Sequence, residues 1–157
     1  MQETIFHLHR LYDFLHEWYG KYDSNPMFDT KHTIFLLQSI YDGLPIGLFV
    51  RSGFEIADGR LRLNSLWWVL VKGCGFYFDL NSKEFTCAFT EDSLPMEALF
   101  DDTIWDNLLQ NAYWAKVKTK VNIARDLRTR FIDYLIPMMF VRADTDKIQA
   151  WKQHLNL

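Results

Sequence analysis

Three side chains near the start of the chain have the types and spacing of a metal site. His9, Asp13 and His16 stand at i, i+4 and i+7. On a continuous helix they fall within about 60° of one another. Two imidazoles and a carboxylate form a donor set suited to a divalent ion such as zinc. A metal-dependent enzyme built on that cluster is one reading of the chain. The same residues also complete an ordinary solvated helix face with Gln2, Arg10 and Glu17. His7 falls among apolar residues and reads as a hydrogen-bonded core histidine.

Cys74 and Cys87 are the two thiols. In the hairpin expected around them they share a face diagonally, about 7–8 Å apart, too far for easy bridging. They read as two buried thiols acting as small apolar side chains. Gly73 and Gly75 flank Cys74 and suggest a bulge or a close backbone approach. The chain contains no P-loop, GxGxxG, GxSxG, HExxH or paired-cysteine motif, and no cofactor is expected.

The other chemistry is charge. From Glu84 to Asp106 there are seven acidic residues and no basic one. From Lys116 to Arg130 there are six basic residues and one acidic one. Acidic side chains beside aromatic ones suit recognition of a basic protein surface, with charge raising the association rate and aromatic anchors supplying affinity. The candidate partner-binding residues are therefore Glu91, Asp92, Glu97, Phe100, Asp101, Asp102, Trp105 and Asp106. Asp101, Asp102 and Asp106 also have a structural use at a helix N-terminus. The 116–130 run suggests a nucleic-acid-associated factor, but helical geometry scatters it. Lys118 and Arg125 point one way and Arg128 another, while Arg130 can pair with Asp126. Lys116 and Lys120 fall toward the apolar stripe, which suggests a break near residues 119–122.

At 157 residues with a net charge of −3, the chain reads as one domain over residues 1–157. Aromatics make up 17 % of it, enough for a large rigid core. The longest apolar run, Leu66–Val71, has six residues against the ~20 of a membrane span. Glu3, His7, His9 and Arg10 interrupt any leader-like apolar stretch, so a soluble cytoplasmic protein is expected.

These residues must be positioned by an α+β fold. We expect a mainly antiparallel central sheet of about four to six strands with helices at both chain ends packed against it. Helical periodicity runs over Glu3–Tyr19, from Thr30 to Tyr41, through Leu108–Ala112, and along Val121, Ala124, Leu127, Phe131 and Leu135 until Pro137. A terminal helix is expected from Thr145. Asp58-Gly59 predicts a type I′ hairpin over Phe54–Asn64. Ile46–Arg51 reads as a strand, and Leu66–Val71 as either a strand or a short helix. A second hairpin over Cys74–Phe89 sets Phe78 opposite Phe85, and Asp79 opposite Glu84. Ser93 with Pro95 suggests the start of a short helix, and Thr103 with Asp106 a capping box.

The functional expectation is a small protein-binding module. Its most concrete form is a bacterial immunity protein that neutralises a basic toxin domain by direct binding and occlusion, without chemistry of its own.

Overall fold

The N-terminal segment changes character at Arg10. Thr4–Arg10 is strand β1 and Leu11–Glu17 is helix α1, so the continuous helix expected from Glu3 is not formed. The reason lies at the far end of the chain. All seven residues of β1 pair antiparallel with β7, Leu135–Val141. That long-range ladder overrides a local helical period, a common outcome for apolar segments that contain β-branched and aromatic residues. The helical stripe survives only in α1, where Leu11, Phe14 and Leu15 are fully buried.

The computed structural model describes residues 4–17, 27–52, 55–141 and 153. The α+β class holds, but the single antiparallel sheet does not. Two sheets are present among the described residues. The first has the order β1-β7-β2-β3, with β2 at Phe49–Ser52 and β3 at Glu55–Asp58. It is mixed, because β2 runs parallel to β7. The second is antiparallel, with the order β5-β4-β6, from Tyr77–Asp79 (β4), Glu84–Thr86 (β5) and Ser93–Pro95 (β6). Its existence corrects the expectation of a helix starting at Ser93. The first described element is thus a strand, and the terminal helix expected from Thr145 lies outside the described residues except at Gln153, which is helical. Pro137 sits within β7 instead of ending a helix. The ladder to β2 begins one residue later, at Met138, which places the proline beyond the end of that pairing.

Helix α2, Thr30–Tyr41, is capped by Asp29, whose carboxylate accepts from the His32 N–H. Asp58-Gly59 does not close a hairpin. Gly59 takes the left-handed φ of 90° that such a pair favours, but the chain then enters helix α3, Arg60–Trp67. A π-helical turn, Trp68–Lys72, comes next. The apolar run at 66–71 is therefore helical. Arg62 tightens the turn at Gly59. It donates to the carbonyls of Ile46 and Leu48 and lies 4.4 Å over the Phe49 ring.

The second hairpin keeps its register, with Phe78 opposite Phe85 and Asp79 opposite Glu84. The two acids are tolerated because Asp79 turns back on its own loop. Its carboxylate accepts from the N–H groups of Asn81 and Ser82 and from the Thr90 hydroxyl. Those bonds, Ser82 foremost, hold its pKa below the usual carboxylate value. The ladder stops at Tyr77 and Thr86, so the expected pairings of Phe76 with Cys87 and Cys74 with Phe89 do not form.

After a 3-10 turn at Met96–Phe100, helix α4 covers Asp102–Asn111 and α5 covers Lys118–Ile132. Asp101 caps α4 through the N–H groups of Thr103 and Ile104, so the box expected from Thr103 and Asp106 is not used. A second 3-10 turn, Tyr113–Lys116, places the break before α5 at Val117, earlier than residues 119–122. Ala124, Leu127 and Phe131 of α5 are fully buried, in one apolar cluster with Trp67, Phe78, Trp114, Ile136 and others. Among the described residues, no helix is long and apolar enough to cross a membrane.

Candidate partner-binding surface

The acidic and basic segments meet each other. Asp92, in the loop before β6, accepts from Lys120 on α5 at 2.6 Å. Asp102, in the first turn of α4, pairs with Arg128 on α5. Arg128 also donates through Nε to the Leu99 carbonyl and lies 4.7 Å over the Trp105 ring. Arg130 pairs with Asp126 and donates to the Tyr41 carbonyl. Half of the six basic residues are thus engaged inside the fold.

This arrangement redistributes the candidate residues. Phe100 and Trp105 are each 5 % exposed, so they serve the core and not a surface. Asp101 is the α4 cap, and Asp102 faces solvent while holding Arg128. Asp106 is exposed on α4. Glu97 is half-buried against Gly73, where an added Cβ would lie 3.0 Å from its Cδ. Its Oε2 is buried with no hydrogen-bond partner among the described residues. Burial pushes its carboxyl pKa up. Of the acid trio, only Glu91 stands exposed and unpaired among the described residues, with Asp92 beside it.

What joins Glu91 is aromatic. Phe89 is 72 % exposed and Tyr113 is 62 % exposed. The Phe89 ring leans edge-on against Tyr77 at 5.5 Å. The Lys120 ammonium is held charged by its hydrogen bond to Asp92 first, then by the fields of Asp92, Glu91 and Tyr113. Asp92 and Lys120 are thus in contact, with Glu91 next to Asp92 in the chain and Phe89 two residues before Glu91. Phe89 and Tyr113 were not among the residues expected from sequence. Phe89 read as the last position of the second hairpin, and Tyr113 was assigned to no element. Both stand out because an element ends just before them.

The N-terminal cluster separates. His9 is on β1, while Asp13 and His16 are on α1. Nδ1 of His16 lies 2.8 Å from the Tyr12 carbonyl, and Asp13 lies 4.0 Å from Arg10. Among the described residues, no group of three histidine, cysteine or acidic side chains could hold a metal ion. His7 is exposed, not buried, with its ring 5.4 Å from Phe140. The Nε2 atom of His9 is buried without a hydrogen-bond partner among the described residues.

Burial lowers the His9 pKa, and the neighbouring His7 and Arg51 lower it further, against the pull of Glu17 and Asp13. The unfolded chain therefore binds the His9 proton first as pH falls. The stability tied to neutral His9 is present above about pH 6.5 and is lost as pH falls through its folded pKa. We expect the urea midpoint of the wild type to fall from about pH 7 to about pH 5.5 more steeply than that of His9→Gln. Parallel slopes for the two proteins would remove His9 from the pH response.

Cys74 and Cys87 are both exposed and free, against the expectation of buried thiols. The Cys74 thiol is nevertheless crowded. Partial burial, then the Glu97 carboxylate and Cys87, push its pKa up to about 11. It is a poor nucleophile at neutral pH.

No protein-family model, curated protein or solved structure matches the chain. Its function must be read from its own residues.

Proposed function

We propose that the chain is a protein-binding module whose partner surface is formed by Phe89, Glu91 and Tyr113, with the Asp92–Lys120 pair bracing the loop that carries Glu91. Its most concrete form is an immunity protein that neutralises a toxin domain by occluding it. The observation that carries this reading is that Phe89 and Tyr113 are large exposed aromatic side chains, Phe89 standing two residues before the exposed Glu91. Exposed large aromatics flanking charge resemble the anchors of recognition sites, where a few such residues supply most of the affinity. Glu91, the unpaired acid, favours a partner with a basic surface.

The other two classes receive less support. The metal-dependent reading required His9, Asp13 and His16 to share a helix face, and they lie on different elements. The nucleic-acid reading required a continuous basic stripe, and Lys120, Arg128 and Arg130 are each held by an acid.

The test begins with the partner, captured from the host or expressed from the adjacent reading frame. We expect Phe89→Ala and Tyr113→Ala each to weaken its binding by about tenfold or more. Glu91→Gln should slow association and flatten its dependence on salt. None of the three substitutions touches a buried side chain, so the fold should persist. Binding unchanged in all three variants would remove this surface from the account.

A further inference from the structure

A groove of about 390 Å³ lies between α4 and α5, lined by Trp105, Arg125, Arg128, Thr129, Ile132 and Asp133. That volume falls within the ordinary range for a small-molecule site. Four of the six lining residues form one stripe of α5. Arg125, Arg128, Thr129 and Ile132 stand at i, i+3, i+4 and i+7, which brings their side chains to a common face.

The polar groups of this groove are held in place and only partly used. Arg128 is fixed by three contacts: the Leu99 carbonyl on Nε, the Asp102 carboxylate on Nη2, and the Trp105 ring beneath its plane. Its Nη1 has no hydrogen-bond partner among the described residues, and neither does the Thr129 hydroxyl. Arg125 is exposed and forms no ion pair or hydrogen bond among the described residues. One member of the stripe, Arg128, already has an acid, and Arg125 is left without one among the described residues. Asp102 is taken by Arg128 and Asp126 by Arg130. Asp133 closes one end of the groove without an ion pair to either arginine among the described residues. Two like charges one helical turn apart are unfavourable in isolation, and an anion between them removes that repulsion. Ile132 supplies an apolar edge beside them, and Trp105 shows the groove only a small part of its ring.

We propose that this groove binds an oxyanion carried on a small apolar or aromatic body. The oxyanion bridges Arg125 and Arg128 with the Thr129 hydroxyl as a further donor, and the organic body lies against Ile132, with only the small exposed edge of Trp105 beside it. A guanidinium held by a ring and a carbonyl loses little freedom on binding, so its remaining donors are preorganised for phosphate or carboxylate oxygens. The site shares no residue with the partner surface around Phe89 and does not depend on it. It also gives a use to Arg125, one of the basic residues that the intramolecular ion pairs leave over.

The experiment is a titration of the full chain with phenyl phosphate, phenylacetate, inorganic phosphate and phenol at low salt. It tracks the Trp105 indole N–H and the backbone amides of residues 125–132 by nitrogen-15 NMR. Phenyl phosphate or phenylacetate should shift these signals saturably, with a Kd on the order of 1 mM. The tighter of the two assigns the headgroup as phosphate or carboxylate. Inorganic phosphate should bind more weakly, and phenol should produce no saturable shift. Arg125→Gln, at an exposed position that leaves the fold intact, should weaken binding by about tenfold. Thr129→Val should weaken it less. The absence of saturable shifts from both aromatic anions would overturn the proposal. So would shifts that survive Arg125→Gln, or equal binding of phenol.

Discussion

Replacing Arg128 with alanine is expected to destabilise the chain by about 2–3 kcal/mol. The expectation comes from what the guanidinium touches. Its Nε bond to the Leu99 carbonyl is charge-assisted, and its loss leaves a carbonyl of a fully buried residue without that donor. The stacking over Trp105 at 4.7 Å adds on the order of 0.5–1 kcal/mol. The ion pair with Asp102 contributes least, because the Asp102 side chain is 84 % exposed and water screens it. Asp102→Asn should therefore shift the urea midpoint far less than Arg128→Ala. Equal effects from the two variants would mean that the surface pair, and not the buried contacts, carries Arg128.

Gly59→Ala should destabilise the fold by roughly 3 kcal/mol, combining a left-handed backbone and overpacking. The glycine has a φ of 90°, and a Cβ there would lie 2.2 Å from Cδ1 of Phe49. Phe49 cannot retreat, since it is fully buried under Arg62. Gly75 provides the control. Its φ of 85° is similar, but nothing lies within 4 Å of an added Cβ. Gly75→Ala should then show only the backbone part, about 1–2 kcal/mol. Urea unfolding of both variants separates the two contributions, and similar losses at the two positions would discount the clash with Phe49.

The turn at Gly59 also marks where the sequence was legible and where it was not. Asp58-Gly59 signals a type I′ hairpin turn, but only Gly59 takes a left-handed φ while Asp58 stays in β3, and local turn chemistry does not select the element after it. Here Arg62 reaches the carbonyls of residues 46 and 48 and stabilises a helix where a returning strand was expected. The hairpin register around Phe78 and Phe85 was readable because it is set by neighbours only a few residues apart. The pairing of β1 with β7 was not, because its partners are more than 120 residues apart and the β1 segment has a helical period of its own. Losing that helix dissolved the His9, Asp13 and His16 cluster with it.

The charge segregation was visible at once, but its use was not. Alternating patterns within an element can be read locally. The meeting of Asp92 with Lys120 and of Asp102 with Arg128 requires the tertiary fold. Phe100 and Trp105 were drawn into the expected surface for the same reason, since proximity in sequence to acids says nothing about burial. The acidic loop at Glu91 and Asp92 remains from the expected surface. Phe89 and Tyr113 join it because each stands just past an element's end.

The central claim is that this loop and its aromatic neighbours form the partner surface. Amide hydrogen exchange on the chain, free and bound to its protein partner, tests it most directly. Slowed exchange is expected over Cys87–Asp92 and Ala112–Val117 on binding, with β1 and the α4–α5 groove unchanged. Slowed exchange confined to β1 or to that groove, with both of those segments unaltered, would contradict it.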